Sequence, residues 1–219
     1  MRSPPITTVI SDFGGVLTTP LVQSFAAVQD ETGIPFEELA KAMGRIEEAD
    51  GKHPLYELET GNLTEVDFLA KLGDALEPAL GHRPALHRFR EIYFEALHPN
   101  PPMIELMREA KAGGNRMGLL TNNVREWEPL WREMLPVDEI FEAVVDSGFV
   151  GCRKPDPQIY ELMLERLDGV PAGECLFIDD VDVNCAAARE LGMSAVHYQH
   201  NDQAIPEIRE ALGLAHSGN

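Results

Sequence analysis

The stretch Val9-Ile10-Ser11-Asp12-Phe13-Gly14-Gly15-Val16-Leu17 decides the fold. It begins as a short β-branched, apolar run, the pattern of a buried strand. A single carboxylate, Asp12, stands where that strand ends, and two glycines follow almost at once. In an open parallel sheet, ligands bind outside the C-terminal ends of the strands. A carboxylate there can act as a nucleophile or as a ligand for a hard cation. It can equally be a turn or cap residue, and the stretch alone leaves these alternatives open.

The rest of the chain narrows them. From Thr18 to about His98 the pattern is helical, with helices expected at Leu21–Thr32, at Phe36–Met43, after Thr64 and after Pro84. Thr64-Glu65-Val66-Asp67 resembles a capping box with Asp at its third position. Beyond Pro99 the pattern becomes an alternation. Strands are expected at Arg116–Thr121, Ala143–Asp146, Cys175–Ile178 and Ser194–Tyr198. Helices between them are expected at Met103–Ala112, Glu126–Leu135, Pro157–Leu167, Asp182–Leu191 and Ala204–Leu212, with a frayed tail from Ala215. Strands separated by helices imply parallel pairing. The expected fold class is therefore α/β: a Rossmann-like parallel sheet of about five strands, formed by residues 1–18 and 98–219. Residues 19–97, too long for an ordinary crossover, form an all-helical insertion above the C-terminal sheet edge, where a lid belongs.

Composition excludes several classes of function. Acidic residues number 37 against 18 Lys and Arg, a formal charge of −19, which argues against nucleic acid or an anionic membrane as partner. An anionic substrate would need a locally positive pocket. No run of transmembrane length and no apolar leader is present. The three cysteines, Cys152, Cys175 and Cys185, form no Cys-x-x-Cys pair and fit a reduced, cytoplasmic protein.

Three more strands end in chemically useful residues. The second ends Leu119-Leu120-Thr121-Asn122-Asn123, a hydroxyl and two amides able to donate to phosphate. The third leads into Gly151-Cys152-Arg153-Lys154-Pro155-Asp156-Pro157, a lysine in a shaped loop just before a helix start, where anions are favoured. The fourth ends Phe177-Ile178-Asp179-Asp180, with Asn184 just beyond. Adjacent carboxylates repel unless a cation holds them, so Asp12, Asp179 and Asp180 together suggest an oxygen-rich site of the Mg²⁺ kind.

As a set, Asp12-Phe13-Gly14-Gly15-Val16, Leu120-Thr121-Asn122, Lys154-Pro155 and Asp179-Asp180 resemble the four motifs of the haloacid dehalogenase-like hydrolase superfamily. Arg153-Lys154-Pro155-Asp156-Pro157-Gln158-Ile159-Tyr160 and Phe177-Ile178-Asp179-Asp180 are most similar to the branch containing the N-terminal phosphatase domain of soluble epoxide hydrolase and small sugar-phosphate phosphatases. The helical insertion corresponds to that family's first-position (C1-type) cap.

The resemblance implies a Mg²⁺-dependent phosphatase acting on a small phosphorylated metabolite. In this reading Asp12 attacks phosphorus and forms an aspartyl-phosphate. Asp12, the Gly14 carbonyl and Asp180 hold Mg²⁺, with Asp179 close by. Thr121, Asn122 and Lys154 bind the phosphoryl oxygens, and Asn184 supports them; Asn123, Arg125 and Arg153 are further candidates. One position departs from the pattern: Gly14 stands where phosphatases of the family usually carry a second Asp, the general acid. Three alternatives follow. The leaving group needs little protonation, as in anomeric sugar, acyl or aryl phosphates. The nucleophile does other chemistry, as in a dehalogenase or a phosphonatase, the latter needing a lysine such as Lys41, Lys52 or Lys71. Or the chain is a weakened binding or regulatory module. Arg45, Lys52, His53 and Tyr56 are the expected specificity residues of the insertion. Trp127, Trp131, Phe141 and Phe177 read as core, His82 and His87 as surface, and Cys152 has no neighbouring base to make it a nucleophile.

Overall fold

β1 (Thr8–Ser11) is buried over its whole length, so both faces of this strand must be covered by other elements. In the computed structural model, which describes residues 4–214, it is the central strand of a sheet. Its companions are β2 (Arg116–Thr121), β3 (Ala143–Asp146), β4 (Cys175–Asp179) and β5 (Ser194–His197). Every pairing is parallel, and the order is β3-β2-β1-β4-β5. The expected strands are all present, with ends that differ by a residue or two. The expected tail from Ala215 lies outside the described residues.

The chain winds from β1 outward through β2 and β3, then crosses back to β4 and β5. The strand order therefore reverses between β1 and β4, which opens the crevice where doubly wound sheets bind ligands. Asp12 directly follows β1, and Asp179 is the last residue of β4, so these carboxylates flank that crevice. Alternate residues along each strand enter opposite cores. Val9, Leu119 and Leu176 face one side, and Ile10, Leu120 and Phe177 face the other.

Five helices stand between β1 and β2: α1 (Leu21–Thr32), α2 (Phe36–Asp50), α3 (Pro54–Glu59), α4 (Glu65–Leu80) and α5 (Phe89–Glu95). The chain leaves and returns along a short antiparallel contact. Thr18 bridges Pro99, Thr19 N donates to His98 O at 2.7 Å, and Asn100 N donates to Leu17 O at 2.8 Å. The apolar core that covers Val9 and Leu119 runs on without a break into the insertion through Val28, Leu39, Leu72 and Phe89. Then come α6 (Pro101–Ala112), α7 (Glu128–Met134), α8 (Val137–Ile140), α9 (Ser147–Val150), α10 (Pro157–Arg166), α11 (Asp182–Glu190) and α12 (Asn201–Leu212).

Some helices differ from expectation for identifiable reasons. α2 continues seven residues past Met43, because the buried stripe Leu39, Ala42 and Ile46 outweighs the roughly 1 kcal/mol helix penalty of Gly44. It stops at Gly51, whose φ of 73° makes a left-handed cap. α6 begins at Pro101, since proline is preset for a first turn. α12 begins three residues early, because His200 accepts from the Gln203 amide. α8 and α9 have four residues each and no periodicity to reveal them. At α4, Thr64 Oγ1 accepts from the Asp67 amide at 3.1 Å and donates to Asp67 Oδ2 at 2.7 Å. The shorter Asp thus meets the hydroxyl, where a Glu would reach back to the amide of the capping residue.

Asp146, at the end of β3, caps α9 by accepting from the Gly148 amide at 2.9 Å, while its second oxygen is buried without a hydrogen-bond partner. Burial pushes its carboxyl up from 3.8 to about 6. A group held up in this way contributes stability that is complete below its unfolded value and is lost as pH rises through the folded one. Relative to Asp146→Asn, the wild type is expected to lose on the order of 2–3 kcal/mol between about pH 4 and pH 6. Urea unfolding of both proteins across that range measures the difference.

Candidate active site

At the crevice between β1 and β4, the Lys154 ammonium is held by three oxygens. It lies 2.7 Å from Asp12 Oδ1 and 2.6 Å from Asp179 Oδ2, and it donates to the Leu120 carbonyl at 2.9 Å. The side chain is only 1% exposed. A buried ammonium in an acidic protein persists because each of its donors finds an acceptor. Burial alone would lower its pKa, but Asp12 and Asp179 outweigh that and hold it above its ordinary value.

The lysine is positioned by its neighbours in the second motif. Asn122 Oδ1 accepts from the Lys154 amide at 2.8 Å, and Asn122 Nδ2 donates back to the Lys154 carbonyl at 3.0 Å. Asp179 is fixed in the same way: its Oδ1 accepts from Asn184 Nδ2 at 2.9 Å and from the Val181 amide at 2.8 Å. Asn184 is buried, and its carbonyl accepts from the Tyr160 hydroxyl at 3.0 Å. Asp12 Oδ1 accepts from the Phe13 amide at 2.7 Å as well as from Lys154. These contacts turn one Asp12 oxygen toward the protein and leave the other without a hydrogen bond.

Asp180 completes the cluster. Oxygens of Asp12, Asp179 and Asp180 lie within 4.8 Å of one another. Three carboxylates against one ammonium leave two negative charges, and the electrostatics carry the strain. Burial pushes Asp12 well up, with Asp179 and Asp180 adding to the rise and Lys154 opposing it. Burial, followed by Asp179, pushes Asp180 up to about 6. The donors are all hard oxygens, the set that suits a small divalent cation. Gly15 keeps the loop close to this cluster: its φ is +78°, and a Cβ there would stand 2.2 Å from Asp180 Oδ2.

Thr121 ends β2 with its side chain buried, and it lines a cavity of about 330 Å³ together with Gly14, Asn122 and Asn123. The far wall is built by the helical insertion. Arg45, Lys52, His53 and Tyr56, expected to set specificity, do not line this cavity. Arg45 donates to the Ala75 carbonyl, Lys52 pairs with Glu57, and His53 stacks on Tyr56 at 4.3 Å between ring centroids. The residues that do line it, such as Phe25, Leu39, Phe68 and Phe94, look like ordinary helix core in sequence, so no local signal marks them.

Arg153 and Arg125 are engaged where α3 meets α9. Arg153 Nε lies 2.6 Å from Glu59 Oε2 and its guanidinium covers the Tyr56 ring at 4.1 Å, while Arg125 Nε donates to the Gly148 carbonyl at 2.8 Å. Asn123 Oδ1 accepts from the amide of the following residue, Val124, at 2.9 Å. Trp127 and Trp131 are core as expected and also face the cavity. Cys152 is buried, and burial pushes its thiol up, so it stays protonated. No helix among the described residues is long and apolar enough to cross a membrane.

The family model of the haloacid dehalogenase-like hydrolases matches residues 6–192. The chain belongs to this family and is an enzyme of the hydrolase class. It is 31% identical to the phosphatase MT3486 of Mycobacterium tuberculosis, over 87% of this chain and 86% of that one. It is 28% identical to the pig (Sus scrofa) bifunctional epoxide hydrolase 2 over 94% of its own length, but it spans only 38% of that protein. Among solved structures, the fold is shared with a haloacid dehalogenase family enzyme, BT-2542, of Bacteroides thetaiotaomicron. Here the TM-score is 0.71 at 21% identity, over 94% of this chain and 100% of the other.

Lys154→Met removes the only counter-charge of two buried carboxylates, a change that typically costs about 3–5 kcal/mol. Urea unfolding at pH 7 in EDTA is expected to show a loss of that order, and the loss shrinks on going to pH 5 as the stranded carboxyls take up protons.

Proposed function

We propose that the protein is a Mg²⁺-dependent phosphatase that hydrolyses a small phosphorylated metabolite through an aspartyl-phosphate on Asp12. The observation that carries this reading is the buried ammonium of Lys154 between Asp12 and Asp179, beside a third carboxylate, at the reversal point of the sheet. The free Asp12 oxygen is the nucleophile. It forms a bond to phosphorus while the bond from phosphorus to the leaving oxygen breaks, and that oxygen takes the electron pair and, finally, a proton. Water then attacks phosphorus, the bond to Asp12 breaks, phosphate is released, and the proton lost by water balances the one taken up by the leaving oxygen.

Each neighbour has a task. The Thr121 hydroxyl donates to the transferring oxygens, and Lys154, whose three donors are held by Asp12, Asp179 and the Leu120 carbonyl, offsets by its charge what builds up on them during transfer. Asn122, with both ends of its amide on the Lys154 backbone, is a positioning residue more than a phosphate donor. Asn184 does the same for Asp179. Asp12, Asp180 and the Gly14 carbonyl hold the metal, with Asp179 beside them. When bound, Mg²⁺ supplies the charge neutralisation that lets a carboxylate approach a phosphate. The two surplus negative charges of the cluster fit a divalent cation, and the Bacteroides enzyme of the same fold has been solved with magnesium and inorganic phosphate. The helices of residues 19–97 act as a cap that closes the site from water. The three buried, unpaired cysteines suit a reducing cytoplasm.

Gly14 offers no side chain to protonate the leaving oxygen, a task commonly worth about 10²–10⁴-fold. The leaving group is therefore one that needs little protonation. Leu21 fills part of the space where an acid would stand, since a Cβ on Gly14 would meet its Cδ2 at 3.0 Å. That contact is with the end of a side chain, so the pair Gly14→Asp and Leu21→Ala restores room for a carboxyl.

Phosphate release from a panel of phosphorylated metabolites tests the reading. Turnover is expected with Mg²⁺, is abolished by EDTA, and falls at least 10³-fold in Asp12→Asn. Undiminished release in EDTA would sink the metal role. In the Gly14→Asp/Leu21→Ala protein, phosphates of basic alcohols are expected to gain about tenfold or more over phenyl phosphate, and an equal change for both would count against a missing acid.

A further inference from the structure

Resting on the phosphatase reading, we infer that the substrate is a monophosphate carried on an apolar body of about ten non-hydrogen atoms, and not a sugar phosphate. Asp12, Lys154, Asp179 and Asp180 do not themselves line the cavity, but its most polar end adjoins them: Gly14 follows Asp12 by two residues, Thr121 ends the neighbouring strand, and Asn122 holds the Lys154 backbone. Elsewhere its walls are mainly aliphatic and aromatic, with Phe25, Leu39, Phe68, Leu72, Phe89 and Phe94 among them. No lysine, arginine or histidine lines it. Two carboxylates do, Glu65 engaged through both oxygens and Glu59 through Oε2. Glu59 is paired with Arg153 at 2.6 Å, and Glu65 is paired with Arg90 at 3.0 Å and accepts from the Trp127 indole at 2.9 Å.

A polyol meets few partners here: beyond the polar end, the Tyr93 hydroxyl, the Trp131 indole N–H and Glu59 Oε1 are too few and too scattered to match a ring of hydroxyls. Each substrate hydroxyl buried without one weakens binding by roughly five- to a hundredfold, and a second anionic group would meet no cation. An apolar chain loses nothing and gains by burial. The volume of about 330 Å³ takes about ten heavy atoms at the ~30 Å³ that a water molecule occupies in the liquid. The apolar lining also continues to both limits of the cavity. Leu21 packs against Gly14 beside the nucleophile. At the other limit Phe36 lines the cavity while 54% exposed, which marks a mouth through which a longer tail can extend.

Two series on the wild-type protein test this, one of them independent of catalysis. Calorimetric titration with ethyl-, butyl- and octylphosphonate in Mg²⁺ measures binding of a phosphate mimic with no leaving oxygen. Affinity is expected to rise about two- to fourfold per methylene, so fiftyfold or more from ethyl to octyl. A flat or falling series, or glucose 1-phosphate binding as tightly as octylphosphonate, overturns the inference. In parallel, kcat/KM for acetyl, butanoyl and octanoyl phosphate is expected to climb with chain length and to exceed that for glucose 1-phosphate by a hundredfold or more. A rising phosphonate series without turnover of any phosphate supports the apolar site and defeats the phosphatase reading. Turnover at one kcat/KM throughout does the reverse.

Discussion

One buried ammonium organises the sheet edge. Lys154 reaches the ends of three strands at once: the Leu120 carbonyl of β2, Asp12 after β1 and Asp179 of β4. Such an ion is tolerable in a protein interior only when every donor is met, and here the backbone of three strands must be in register for that to happen. The position of each carboxylate is in turn fixed by the same contacts. Asp12 shares one oxygen between Lys154 and the Phe13 amide, and Asp179 divides its two between Lys154 on one side and Asn184 and Val181 on the other. Asp180 and the second oxygen of Asp12 are left outside these contacts.

This arrangement separates two kinds of polar residue that look alike in sequence. Thr121 and Asn122 are adjacent, and both are natural phosphate donors, yet Asn122 is committed to the Lys154 backbone. Asn184 likewise serves Asp179. Arg153, next to the key lysine, points the other way and pairs with Glu59 of α3, tying the helical insertion to the loop that carries Lys154. The insertion is thus joined to the sheet edge that carries Lys154 by a salt bridge, by the Glu65–Trp127 hydrogen bond and by a continuous apolar core. Gly14, Thr121 and Asn122 of the sheet edge and the mainly apolar surface of the insertion line one cavity. On the reading proposed above, the lining of that cavity, and not the net charge of −19, governs what the site accepts.

Much of this could be read from the chain alone. The alternation of β-branched runs with helical periods, and the excess length between the first two strands, dictated a parallel sheet with a helical insertion. Period-2 and period-3.6 patterns are local, so they survive in a single sequence. The polar residues at four strand ends were legible because a parallel sheet places every C-terminal end on one edge. The tertiary structure alone decided which of those residues touch, because the 2.6–2.7 Å contacts of Lys154 with Asp12 and Asp179 depend on strand order and register between parts of the chain far apart in sequence. It also decided the character of the cavity. Phe25, Leu39, Phe68 and Phe94 carry the same helical spacing as any buried stripe, and only the packing of α1, α2, α4 and α5 over the sheet leaves their faces around a space instead of against each other.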